Sequence, residues 1–127
     1  MRWHTPLFLT FFPSPSCGDW RMAELIDQDY LHFAEVFKEA LPELAADYEA
    51  WKKKTQAGEV FDKKTTELLA LAASFAMLCP YCIDSHAPKA KAHGATREEI
   101  AAVLHIASAV RAGACMSFGL QAFKPFK

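Results

Sequence analysis

The chain has 127 residues, 52% of them hydrophobic, with 15 acidic and 14 basic side chains and a formal net charge of −1 at pH 7. That length suits one domain, and the near-neutral balance supplies no field toward nucleic acid or an anionic membrane. Cys17, Cys79, Cys82 and Cys115 are too few and too unevenly spaced for a disulfide scaffold, and no run of about 18 apolar residues offers a membrane-spanning helix.

The first 21 residues, MRWHTPLFLTFFPSPSCGDWR, hold three prolines, no helical period and a short apolar run from Leu7 to Phe12. A secretory signal needs a longer apolar stretch and a small-residue cleavage site. We expect residues 1–21 to be a disordered extension, with Met22 a candidate translation start and 22–127 a single helical domain. Cys17 falls in the extension and receives no role.

From Met22 the period is helical. Ile26, Tyr30, Phe33, Phe37 and Leu41 form one apolar stripe, and Pro42 suits the first position of a second helix carrying Leu44, Tyr48 and Trp51 up to Gly58. Asp62 is placed to cap a third helix over 63–78, whose nearly continuous apolar sequence predicts a central, buried element. Pro80 cannot continue that helix but can open the next, with Cys79 at its cap and Gly94 at its end. Thr96 and Glu99 form a capping box for a last helix reaching about Ala122. No segment alternates with period two, so the fold class is all-α: a compact helical bundle. The small residues of 112–119, with Met116 and Phe118, fit either an oligomer interface or packing within the bundle.

The chemistry gathers in LCPYCIDSH, residues 78–86. A cysteine at a helix N-terminus sits where unsatisfied N–H groups favour its thiolate. Cys82 follows within disulfide reach, and His86, four residues further on, shares the face of Cys82 and can take and return a thiol proton. Two other chemistries use the same residues. They could be small buried hydrophobes, or Cys79, Cys82 and His86 could hold zinc with Cys115, His93 or His105 as fourth ligand; the second short-spaced ligand pair usual in structural zinc sites is missing. Haem attachment requires His directly after the second Cys, where Ile83 stands. His93 beside Gly94 suits a helix-end role, His105 a core position or a pocket wall, and Cys115 buried packing.

The stretch TELLALAASFAMLCPYCIDSHAPKAKAHGATREEIAAVLHIASAVRAGA resembles the core of the alkylhydroperoxidase D-like, or carboxymuconolactone decarboxylase, family. The likeness runs over roughly residues 41–122, and its most specific element is Glu67, the pair Cys79 and Cys82, and then His86. It implies an all-α fold, a homo-oligomer (trimer or hexamer), and a thiol-dependent peroxidase or disulfide reductase in which Glu67 and His86 relay protons to a cysteine. The decarboxylase members, cofactor-free lyases, lack the cysteine pair.

The chain departs from the peroxidase branch at Tyr81, where a second histidine is usual. A phenol of pKa near 10 is a poor base at pH 7, so weaker peroxidase activity is expected. Pro88 should kink the helix below Asp84 and His86. Glu67 lies twelve residues before Cys79, roughly 18 Å along a straight helix, so only a bend at Cys79–Pro80 or another subunit can bring it into the site. The resulting expectation is a cytoplasmic antioxidant oxidoreductase cycling a Cys79–Cys82 dithiol and disulfide. Cys82 is read as the base-activated nucleophile and Cys79 as resolving, although the helix end favours the Cys79 thiolate. The expected substrate is a hydroperoxide or an oxidised thiol-protein, with an external dithiol as reductant and no cofactor, metal, nucleic acid or membrane. The rivals are a cofactor-free lyase on the same fold and a non-enzymatic zinc-binding protein.

Overall fold

The computed structural model describes residues 26–126. The expected extension, and Cys17 with it, lies outside the described residues. Among the described residues five α-helices follow in order, α1 (Tyr30–Ala40), α2 (Pro42–Thr55), α3 (Lys63–Met77), α4 (Pro80–Ala92) and α5 (Arg97–Gly119), with a closing 3-10 segment at Leu120–Phe126. No strand occurs among the described residues.

The helix ends follow local chemistry. α1 starts at Tyr30, four residues later than the stripe from Ile26 suggests. Asp27 explains the delay: its carboxylate accepts the Asp29 N–H at 2.8 Å and its carbonyl accepts the Tyr30 N–H, a turn that competes with helix. Leu41 is driven out of helical geometry by the proline after it, and Pro42 opens α2. Gly58 reverses the chain at φ +80, a conformation that suits glycine, and an added Cβ would lie 3.2 Å from both Lys63 Cγ and the Phe61 carbonyl. Asp62 then caps α3 by accepting the Thr65 N–H at 2.8 Å, which holds its carboxyl below the usual range. Thr96 and Glu99 close the expected capping box at the start of α5.

α3 is the central element, packed on α4 along one side and α5 along another. The salt bridge from Lys64 Nζ to Glu99 Oε1, 2.7 Å, ties the starts of α3 and α5 together. Burial around α3 is one-sided. Leu71 is the only large side chain wholly buried among the described residues, with Ala45, Ala90 and Ala107 as smaller core members, whereas Leu69, Met77 and Leu78 are exposed. The expectation of an all-round buried α3 is therefore corrected for the single protomer: α4 and α5 cover only part of its circumference. Helices α1 and α2 pair with each other as a hairpin. Tyr30, Phe33, Phe37, Tyr48 and Trp51 on that hairpin are exposed.

α5 and its 3-10 extension, 97–126, form one helix long and apolar enough to cross a membrane by length and composition, contrary to the expectation that no such run exists. It packs on α3, and Arg111 in its middle donates to the Ala76 carbonyl. Residues 111–120 of this helix are exposed throughout. The small-residue stretch 112–119 thus does not pack into the protomer's own core.

Candidate functional site

The site is built on the junction between α3 and α4. α3 terminates in left-handed Leu78, φ 55 and ψ 43, whose N–H returns to the Phe75 carbonyl. The Cys79 N–H bonds the Ser74 carbonyl at 3.0 Å, and Arg111 from α5 donates to the Ala76 carbonyl, so three carbonyls of the last turn are satisfied at this corner. Cys79 then adopts extended geometry as N-cap of α4, and Pro80 takes the first helical position.

Cys79 and Cys82 are joined by a disulfide across a Cα–Cα distance of 5.3 Å. A link spanning three positions closes a very short loop, worth only about 2 kcal/mol in unfolded-chain entropy, so it is a weak staple compared with longer loops. The Cys82 N–H points at Cys79 Sγ, 3.2 Å away. In the reduced state that amide and the helix N-terminus would both favour negative charge on the Cys79 sulfur.

The corner turns α4 back along α3, and this resolves the 18 Å problem within one chain. His86 Nδ1 lies 2.6 Å from Glu67 Oε2. Glu67 is 7% exposed, and the His86 side chain 14%. An ionised carboxylate can only accept, so in that state the imidazole proton sits on Nδ1 and leaves Nε2 to exchange protons. No second subunit is needed for this pair. α4 runs on unbroken through Pro88 to Ala92. Pro88 cannot donate to the Asp84 carbonyl, but Asp84 is exposed to water, which can take that role.

Three lesser expectations change. His105 and Cys115 are exposed in the protomer instead of being core residues, because the face of α5 that carries them points away from α3. His93 does end α4, but through its backbone N–H, which reaches the Lys89 and Lys91 carbonyls. No group of three or more His, Cys, Asp or Glu suited to a metal occurs among the described residues.

Two contacts of the motif region were not foreseen. Tyr81 accepts the Asp27 N–H on its hydroxyl at 3.0 Å, and its ring lies 4.5 Å from that of Tyr30, centroid to centroid. Arg111 meets the end of α3, and its sequence signal is a cation set among apolar residues in the middle of α5.

Fold and site together define a small all-helical protein with a cysteine pair at a helix start and a carboxylate–imidazole pair between two helices. The model of the carboxymuconolactone decarboxylase family matches residues 42–125, and the chain belongs to that family. Members of it are often enzymes, decarboxylases or peroxidases. An uncharacterised protein encoded in the cox locus of Paracoccus denitrificans is 38% identical over 65 residues, 51% of this chain; the chain spans 59% of that relative's length. A crystal structure from Methanobacterium thermoautotrophicum superposes with a TM-score of 0.65 at 28% identity, covering 72% of this chain and 99% of the other. The apo form of a carboxymuconolactone decarboxylase family protein from Legionella pneumophila gives 0.63 at 29% identity, covering 81% and 92%.

Proposed function

We propose that the protein is a thiol-dependent oxidoreductase of the peroxidase or disulfide-reductase type, using Cys79 and Cys82 as its redox pair and Glu67 with His86 as its proton relay. The observation that carries this is the bonded cysteine pair at the head of α4, one turn before an imidazole held by a buried carboxylate. A cofactor-free lyase has no use for the cysteine pair, whereas the carboxylate–imidazole pair would serve either chemistry.

In the oxidative half, His86 Nε2 takes the Cys82 proton and the thiolate attacks a peroxide oxygen. The O–O bond breaks, the alcohol leaves with the proton from His86, and Cys82 becomes a sulfenic acid. Cys79 attacks that sulfur, its thiol proton passing by way of His86 to the departing hydroxide, which leaves as water, and the disulfide forms. In the reductive half, the thiolate of an external dithiol attacks Cys82 and expels Cys79, and its second thiol then displaces Cys82, so that the reductant leaves as a disulfide and both cysteines are reduced. The Cys82 N–H directed at Cys79 Sγ makes Cys79 the better leaving group in this step. Where the oxidant is a disulfide-bonded protein, the same two sulfurs carry a mixed disulfide in place of the sulfenic acid.

The working form is a homo-oligomer, trimer or hexamer, in the cytoplasm. A protomer with one fully buried large side chain lacks the core a stable domain needs, and the apolar faces of the α1–α2 hairpin and of α5 supply what subunits would cover. Thiol titration before and after peroxide tests the cycle. Loss of two thiols, restored by a dithiol, supports it; Cys79→Ser and Cys82→Ser variants that consume hydroperoxide as fast as the parent would refute it. Full retention of a lyase activity in the double variant would favour the decarboxylase chemistry, and stoichiometric zinc in reduced protein would favour a metal site.

A further inference from the structure

We propose that Tyr81 is a redox-coupled latch holding the α1–α2 hairpin against the bundle, so that opening the Cys79–Cys82 disulfide loosens the hairpin. The proposal rests on the cysteine cycle above and adds a mechanical output to it. Tyr81 is one of only two residues between the redox cysteines, and its side chain turns away to the start of α1. Its hydroxyl accepts the Asp27 N–H at 3.0 Å and its ring meets Tyr30 at 4.5 Å.

The rest of the joint is thin. α1 packs chiefly on α2, while α3 packs on α4 and α5. Around Tyr81 the two halves line an open cleft of about 520 Å³, bounded from α1 and its preceding turn by Ile26, Asp27 and Leu31 and from α4 by Asp84 and Ser85. With hollow space on its flank, a small movement of Tyr81 is not buffered by close packing.

Reduction supplies such a movement. The external dithiol's thiolate attacks one sulfur, the S–S bond breaks, and its second thiol displaces the mixed disulfide. Two electrons and two protons pass to Cys79 and Cys82, and the reductant leaves as a disulfide. Bonded sulfurs lie about 2.05 Å apart and non-bonded heavy atoms settle at roughly 3.5–4.0 Å, so the pair must open by more than about 1 Å. Pro80, with its fixed φ, removes one of the few torsions that could absorb the change before Tyr81. The hydroxyl bond and the ring contact with Tyr30 then lose their alignment.

The test is hydrogen–deuterium exchange on the full chain, oxidised and then reduced with dithiothreitol, with thiol titration of the same samples. Reduction should speed exchange across residues 27–41 by roughly two- to twelve-fold, the equivalent of one ordinary hydrogen bond, and leave the first turns of α5 unchanged. Tyr81→Phe keeps the ring and removes the hydroxyl, so the oxidised variant should already exchange at the faster rate and reduction should add less. Equal or slower exchange on reduction of the parent, or a variant that behaves as the parent in both states, overturns the latch alone. Failure to form the Cys79–Cys82 disulfide overturns both the latch and the redox cycle. A redox-dependent hairpin without peroxide consumption supports the latch and refutes the peroxidase assignment.

Discussion

Replacing Glu67 by glutamine probes the site at its most buried point. The substitution keeps shape and removes the charge that accepts from His86 Nδ1 across 2.6 Å. Both side chains are largely shielded from solvent, so screening removes little of the interaction. A hydrogen bond to a charged group contributes about 1.5–3 kcal/mol, and an amide that retains a weaker bond should place the loss near about 2 kcal/mol. For a domain of this size, at about 4 °C per kcal/mol, the melting temperature should fall by roughly 8 °C. The chemical effect should be larger than the structural one. Positioned acid–base groups contribute about 10²–10⁴ in rate, and an imidazole left in place without its orienting carboxylate should lose roughly 10- to 100-fold. Single-turnover loss of thiols on mixing reduced protein with an alkyl hydroperoxide measures this directly. A double-mutant cycle with His86→Gln separates coupling from general damage, since residues that touch should depart from additivity by more than about 0.5 kcal/mol. A Glu67→Gln protein that oxidises its thiols within twofold of the parent, with additive stability effects, would refute the relay.

Other outcomes follow from the helix ends. Thr96→Ala removes the acceptor of the Glu99 N–H and should cost about 1 kcal/mol in urea unfolding; no change would mean α5 does not need its box. Leu78→Gly should stabilise by up to about 1 kcal/mol, because left-handed geometry costs leucine about 1–2 and glycine gives back roughly 0.5–1 in the unfolded chain. Marked destabilisation would mean that a neighbouring subunit covers this side chain, which is 70% exposed in the protomer. Glu99 is held below the usual carboxylate range by the Lys64 ammonium and then by the Thr96 N–H, and Asp62 by the Thr65 N–H. Their contribution should be complete above the unfolded carboxylate range of about 4 and fade as pH falls through the lower folded values. Urea midpoints measured from pH 6 to pH 3 should therefore decline less steeply in Glu99→Gln than in the parent, about these reference values.

The helix ends were readable because each is decided within a few residues: Pro42, Asp62, Cys79–Pro80 and the Thr96 box act on their own turns. The start of α1 was missed for the same reason in reverse, since the Asp27 turn leaves the apolar period intact while competing for the backbone. Apolar sequence says which faces avoid water but not what covers them, so it places Cys115 and much of α3 in a core that one protomer does not possess, and His105 in that core or in a pocket wall. The meeting of Glu67 with His86 could not be read from spacing, which put them far apart. It depends on a left-handed leucine, a conformation for which the sequence carries no glycine or asparagine signal. The Tyr81 contact with Asp27 and Tyr30 joins residues more than fifty positions apart and leaves no local trace.

The corner at Leu78–Cys79 also divides the site by how it is made. The two cysteines are neighbours in any conformation, so a nascent or unfolded chain can already close and open that bond. The imidazole and its carboxylate become neighbours only after α3 and α4 have packed. On the proposed cycle, sulfur chemistry is thus available to the chain at all times, whereas proton control over it would exist only in the folded molecule. Under that proposal, selectivity more than reactivity is what folding would confer on this pair of thiols.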